Sequence, residues 1–225
     1  SDANLNLQCS ALAAISDMAE VMLVGHGSSN DDFCYAMHGT KVRKLHSSKR
    51  DAFKTVNSNP FAKIFPDRIE KLSEYHTRKS KKLKLDKSFE EKVALVKIYP
   101  GQDPDILDYY VKNKYKGIVL EIFGLGHVPS SKARNNWLLK LKQVQEKGLI
   151  VCVTAQTIFG RLDPLVYSNG RELMKTGVIF LEDMLSEVAF VKLGWVLGHG
   201  EWAKDKEIVR EKMLHNFARE LNNKL

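Results

Sequence analysis

The sequence predicts an α/β protein in which parallel sheets are flanked by helices, and two observations carry that reading. From Val93 onward, apolar strand-like runs alternate with helix-period segments. That βαβ spacing builds a parallel sheet with right-handed crossovers and helices on both faces. In addition, 44% of the 225 residues are hydrophobic, enough for an ordinary packed core in a length that suits one large domain or two modest ones.

Along the chain, Leu5, Leu7, Leu12 and Ile15, with alanines between them, predict a helix over 5–18. Val21–Val24 is a continuous apolar strand, His26–Asp32 a turn rich in Gly, Ser, Asn and Asp, and Phe33–Met37 a second short strand. From Asp67 to Lys87 the pattern fails, and RKSKKLKLDK reads as an exposed basic connector, either a solvated linker or a contact for phosphate or an acidic partner. The expected division is therefore 1–66, a connector 67–92, and 93–225.

Val93–Ile98 is the next strand. Asp103 then caps a helix with Pro104 at its first position and Ile106, Leu107, Tyr110 and Val111 on one face. Gly117–Ile122 is a strand. Ser131 can cap a helix whose Trp137, Leu138, Leu141 and Val144 share a face, and Gly148 ends it. Leu149–Thr154 and Gly177–Leu181 are two more strands. Asp183 caps a nearly all-apolar helix to Leu197, and Val209, Met213, Phe217 and Leu221 recur at four-residue spacing in a last helix.

Composition narrows the function classes. No run approaches the roughly 20 apolar residues of a membrane span, and no basic-then-apolar leader opens the chain at Ser1. Cys9, Cys34 and Cys152 are far apart and form no CxxC pair, which fits a reduced, cytoplasmic protein. Cys152, inside an apolar strand, packs as a small hydrophobe. Thirty-five Lys and Arg against 27 Asp and Glu give +8; a basic surface attracts nucleic acid, although many soluble proteins are basic without binding it.

Ligands of an open parallel sheet gather beyond the carboxyl ends of its strands, which selects Phe123–His127, Thr154–Arg161 and the turn at Asn30–Asp32. Gly124–His127, GLGH, is no dinucleotide fingerprint, because Pro129 follows and no third glycine stands three residues after Gly126. His127 is either a hydrogen-bonded surface histidine or a substrate-side group. Thr154 and Gln156 can hold an amide substrate or cap their own loop; Tyr167, Gly170 and Arg171 can orient a neighbouring loop or subunit. There is no HExxH, Walker loop or GxSxG, and no metal site is expected.

Lys44 follows Val21–Val24 and the polar turn, and is expected in a hydrophilic turn of its own, within MHGTKVRKLHSSKRDAFKTVN at Met37–Asn57. A turn lysine takes up a proton near neutral pH only if desolvation or neighbouring cations, here Lys41 and Arg43, favour the free amine. A threonine hydroxyl is a poor nucleophile until such a base removes its proton.

Six segments together resemble the L-asparaginase/glutaminase family. SDANLNL (1–7), EVMLVGHGSSNDD (20–32) and GTKVRKLHSSKRDAF (39–53) look like the second half of its N-terminal domain. KGIVLEIFGLGHVP (116–129), VTAQTIFGRLDPLVYSNGREL (153–173) and GVIFLEDMLSEVAFVKLGWVLGH (177–199) look like its C-terminal domain. Within the family they are most similar to the branch formed by the D-type subunits of archaeal glutamyl-tRNA(Gln) amidotransferases. The resemblance implies an asparaginase-like fold, a partial N-terminal domain plus a smaller C-terminal α/β domain, in an N-terminally truncated piece that is inactive alone. It implies glutamine or asparagine as substrate and a homodimer. A partner, the E-type subunit of the amidotransferase, would use ATP and Mg and the released ammonia to convert glutamyl-tRNA(Gln), with no cofactor in this chain. By position Lys44 matches the family's catalytic lysine, while the catalytic threonines would lie upstream of Ser1. The loop of His127 matches a substrate-side loop that reaches a neighbouring subunit's site.

Overall fold

The computed structural model describes residues 1–79, 84–130 and 133–223. Residues 80–83 of the basic stretch and the predicted cap Ser131 lie outside the described residues. The chain divides into two compact units, Ser1–Lys84 and Leu85–Leu225.

In the first unit, α1 (Ala3–Ile15) buries Leu5, Cys9 and Ala13, a four-residue repeat that keeps small and medium side chains on one helix face. They pack on Cys34, Ala36, Phe61, Ala62 and Ile64. Leu7 and Ile15, also read as part of the apolar face, are 72% and 81% exposed. β1 (Met22–His26) pairs antiparallel with β2 (Cys34–His38). A two-stranded antiparallel ribbon follows, β3 (Val42–Lys44) with β4 (Phe53–Thr55). β5 (Ala62–Ile64) then pairs with β2, and β6 (Ile69–Lys71) with β5, so the sheet runs β1-β2-β5-β6.

Every pairing in that sheet is antiparallel, which corrects the expectation of parallel sheets throughout. For β1 with β2 and for β5 with β6 the reason is connection length: residues 27–33 and 65–68 are too few for the crossover of a dozen or more residues that parallel neighbours need. Within the stretch read as connector, Ile69–Lys71 is the edge strand. Thr77 bridges Met18, and the Arg78 amide donates to the Asp17 carbonyl at 2.9 Å.

The second unit alternates as the sequence predicts: β7 (Val93–Lys97), α2 (Ile106–Lys112), β8 (Gly117–Ile122), α3 (Trp137–Glu146), β9 (Ile150–Ala155), α4 (Ser168–Met174), β10 (Ile179–Phe180), α5 (Ser186–Gly198), α6 (Gly200–Ala203) and α7 (Lys206–Leu214). The strands form one parallel sheet in the order β10-β9-β8-β7. Side chains of a strand point to alternate faces. Ile118, Leu120, Val151 and Val153 accordingly join Leu107, Trp137 and Leu141 in one core. Val119 and Cys152 join Leu193, Val196, Val209 and Met213 in the other. The sheet is thus covered on both faces, and its carboxyl edge is left to loops.

Several predicted helix ends differ: α1 stops at Ile15 rather than at residue 18, and α2 starts at Ile106 with Asp105, not Asp103, at its cap position, so Pro104 precedes the helix. α3 is capped by Asn136, whose side chain accepts from the Leu138 amide at 3.0 Å. α5 starts after Leu185, and the Asp183 carboxylate instead accepts from the Asn222 amide at 3.1 Å and pairs with Arg161 at 3.5 Å. α7 stops at Leu214, so Phe217 and Leu221 are not on it. The chain turns back there because the buried Lys192 ammonium donates to the His215 carbonyl, at 2.6 Å, and to the Glu220 carboxylate. No helix among the described residues is long and apolar enough to cross a membrane.

Candidate active site

Lys44 is the last residue of β3, paired with Phe53 of β4 and exposed. It stands at a strand end, and the hydrophilic turn expected around it lies beyond. The ladder runs on through the Leu45 amide to the Ala52 carbonyl, 2.8 Å. At the tip, the His46 ring nitrogen Nδ1 accepts from the Ser48 and Lys49 amides at 3.1 and 3.0 Å. Asp51 pairs with Lys54 at 2.7 Å, and that hydrogen bond holds its carboxyl below the usual carboxylate value. Alternation along β3 sends Arg43 to the opposite face of the ribbon from Lys44. Lys41 is buried in the short helical turn before β3.

A string of four side chains fastens this ribbon to α1 and β1 of the same unit. His26, at the end of β1 with its side chain sealed from solvent, meets the Asn6 side-chain oxygen through Nδ1 at 2.6 Å and Asp31 through Nε2 at 2.9 Å. The other Asp31 oxygen lies 2.6 Å from the Arg50 guanidinium in the ribbon tip. The His26 contact first, then Arg50, hold the Asp31 carboxyl below its usual value. The sequence marks Asn30–Asp32 only as a polar turn and assigns nothing to His26, Asn6 or Arg50. A histidine closing an apolar strand is the one available signal, since a buried polar side chain needs partners.

In the second unit, the other candidates lie at the carboxyl ends of β8 and β9. Phe123 and His127 exchange both backbone hydrogen bonds, at 3.0 and 2.9 Å, closing a loop over Gly124–Gly126. Gly126 has φ +126°, and a β-carbon there would meet the Phe180 ring at 3.0 Å, so the loop requires glycine. His127 is half-buried with its ring against Tyr167, centroids 5.2 Å apart. Asn169, on the first turn of α4, donates to the Val128 carbonyl at 3.1 Å and accepts from its amide at 3.4 Å. That reciprocal clamp fixes the chain just beyond His127. The Asp163 amide ties the next loop to the Leu125 carbonyl at 2.8 Å, and Arg171 donates to the Leu165 carbonyl at 2.7 Å.

Thr154 is fully buried, and its hydroxyl shares a 2.9 Å hydrogen bond with Ser186. Gln156 is half-buried and gives its side-chain amide to the carbonyls of Ile98 and of Glu121, the latter at 2.9 Å, binding the ends of β7 and β8 together. His127 is thus gathered with Tyr167 and Asn169, Thr154 and Gln156 direct their polar atoms into the fold, and Lys44 belongs to the other unit. The Cys152 thiol, wholly buried, is pushed up to about 12 by desolvation and is inert at neutral pH. Among the described residues, no group of three or more His, Cys, Asp or Glu could hold a metal ion.

Comparison with known proteins places these features in a family. Residues 92–213 match the Glutaminase/Asparaginase C-terminal domain, and residues 1–77 match the N-terminal asparaginase domain. The D-type subunit of the glutamyl-tRNA(Gln) amidotransferase from Thermococcus kodakarensis is 48% identical over 223 residues, 98% of this chain and 49% of that protein. Its Methanococcus maripaludis counterpart is 46% identical over 100% of this chain and 53% of that protein. The chain thus spans about half the length of the curated relatives it matches. Among solved structures, the thermostable L-asparaginase from Thermococcus kodakarensis superposes with a TM-score of 0.87 at 28% identity, covering 100% of this chain and 64% of that one. L-asparaginase I from Vibrio cholerae gives 0.72 at 25% identity over 84% of this chain and 55% of that one. With both domain models matched in order along its length, the chain belongs to the glutaminase/asparaginase family.

Proposed function

We propose that this chain is part of an amidohydrolase subunit that releases ammonia from glutamine, or asparagine, for conversion of glutamyl-tRNA(Gln) to glutaminyl-tRNA(Gln). The observation that carries the reading is 48% identity to a D-type amidotransferase subunit along 98% of this chain, against 28% to the L-asparaginase of the same organism.

The chemistry is acyl transfer. A threonine hydroxyl, supplied by polypeptide outside this chain, attacks the side-chain carboxamide carbon, and the Lys44 amine takes its proton. The carbonyl oxygen becomes an oxyanion held by backbone N–H groups. Collapse expels ammonia once its nitrogen has gained a proton, leaving an ester on threonine that water hydrolyses to the acid. His127, half-buried in its glycine loop against Tyr167, supplies the substrate-side contact in a neighbouring copy of a homodimer. Thr154 and Gln156 serve the substrate by holding the strand ends that carry the loops. A partner, the E-type subunit of the amidotransferase, uses ATP and Mg to activate the glutamyl group, and the assembly works in the cytoplasm without a cofactor in this chain.

The test uses a complete polypeptide spanning the length of the amidotransferase relatives, with and without its partner. Ammonia release from glutamine and glutaminyl-tRNA(Gln) formation only with the partner support the proposal. Asparagine turnover alone, with no transfer to glutamyl-tRNA, would make it a stand-alone asparaginase.

A further inference from the structure

We propose that Asp31 is a positioning residue for Lys44, acting through Arg50 on the tip of the β3–β4 ribbon and backed by the buried His26 and Asn6. The inference rests on Lys44 being the proton acceptor and adds what holds it in place.

The ribbon has three paired positions, and an isolated two-stranded hairpin is marginally stable at best in water. Lys44 is at its outer end, so any fraying of the ladder displaces the amine. The Asp31 carboxylate reaches across to that tip: one oxygen is 2.6 Å from Arg50, six residues after Lys44, and the other 2.9 Å from His26 Nε2. His26 is itself fixed at its second nitrogen by Asn6 on α1, 2.6 Å away. Asn6 is oriented by a further contact, because the Cys34 thiol of β2 donates to the same oxygen at 3.4 Å. The string therefore runs from the helix and sheet of the core to the loop that returns from Lys44. Its outer link is exposed on both partners, where an ion pair adds little stability. Placement of a reacting group is a different matter, since a 1 Å error can cost about 10²-fold in rate.

The experiment compares Asp31→Asn, Arg50→Ala and Arg50→Lys with Lys44→Ala in the complete polypeptide, reading glutaminase kcat, KM and the melting temperature of each. The expected result for Asp31→Asn and Arg50→Ala is kcat lower by about 10- to 100-fold with KM within about twofold, the signature of lost transition-state alignment. Melting of Arg50→Ala should stay within about 2 °C of the parent, as for loss of an exposed pair. Arg50→Lys, which keeps a cation within reach of Asp31, should recover most of the rate lost in Arg50→Ala. Arg50 is half-exposed on a surface loop, so its variants decide the matter even if Asp31→Asn fails to fold. Parental kcat in Arg50→Ala beside an inactive Lys44→Ala overturns this inference alone. An active Lys44→Ala overturns the reading beneath it. Equal losses in Arg50→Lys and Arg50→Ala, or a loss entirely in KM, also contradict the positioning role.

Discussion

The hydroxyls of Thr154 and Ser186 lie 2.9 Å apart where β9 ends and α5 begins, both closed off from solvent. The bond joins a strand tip to the first turn of the helix behind the sheet. Replacing Thr154 with Val leaves the Ser186 hydroxyl buried without its partner, which costs about 1–3 kcal/mol. Removing both hydroxyls together, Thr154→Val with Ser186→Ala, should cost less than Thr154→Val alone, because no polar atom is then stranded. Urea unfolding of the complete polypeptide and its variants measures this. A double variant as unstable as the sum of the singles would show that the hydroxyls do not act on each other.

Glu220 sets a pH dependence. Burial opposes ionisation of its carboxyl, but hydrogen bonds from Lys192 and the Ala218 amide outweigh that and hold it below its ordinary 4.5. On Lys192 burial is the larger effect and favours the free amine. The ionised carboxylate prevails, because it also accepts from the Phe217 amide at 3.1 Å, and several donors stabilise the charged form. A depressed native value means the unfolded chain binds more protons. The contribution is therefore complete above pH 4.5 and is lost as pH falls through the native value. Glu220→Gln should lower stability at pH 7 by about 3 kcal/mol, since it leaves the Lys192 charge buried and uncompensated. It should also flatten the fall in stability below pH 4.5. Unfolding at pH 3 to 7 checks both, and an unchanged acid limb would contradict the assignment.

These contacts mark where local sequence stops being informative. Gly117–Ile122 is legible because a fully buried strand is a continuous apolar run, and Gly148 because a helix end at φ +90° favours glycine. The four-residue repeat through Phe217 and Leu221 fails because the chain turns after Leu214 to bring Glu220 onto Lys192, a pairing 28 residues distant. Asp183 fails as a cap for the same reason, its carboxylate being claimed by the tail at Asn222. In the first unit β1 and β2 are readable, but not their antiparallel pairing, which the short 27–33 connection decides, while β3 to β6 are only three residues each and carry too little apolar pattern to be read. Of the candidate site, the loop with His127 is visible through its glycines. The string from Asn6 to Arg50 joins three separate stretches of chain, and its one local signal is the histidine that closes an apolar strand.

Asn169 should govern substrate affinity through the loop it clamps. Asn169→Ala removes both hydrogen bonds to Val128 and frees the segment that follows His127. The expected outcome in the complete polypeptide is a glutamine KM higher by about 3- to 10-fold with kcat nearly unchanged, as when an interaction common to ground and transition states is lost. Steady-state kinetics read the split, and an unaltered KM would dissociate this loop from substrate binding.

In the proposed reaction the Lys44 amine removes the proton of the attacking hydroxyl. The most direct measurement of that step is the single-turnover rate of ammonia release from glutamine by the complete polypeptide carrying Lys44→Ala. The expected result is a fall of about 10²- to 10⁴-fold, the contribution of a positioned base, with the fold intact by circular dichroism. A parental rate in a folded Lys44→Ala protein would contradict it.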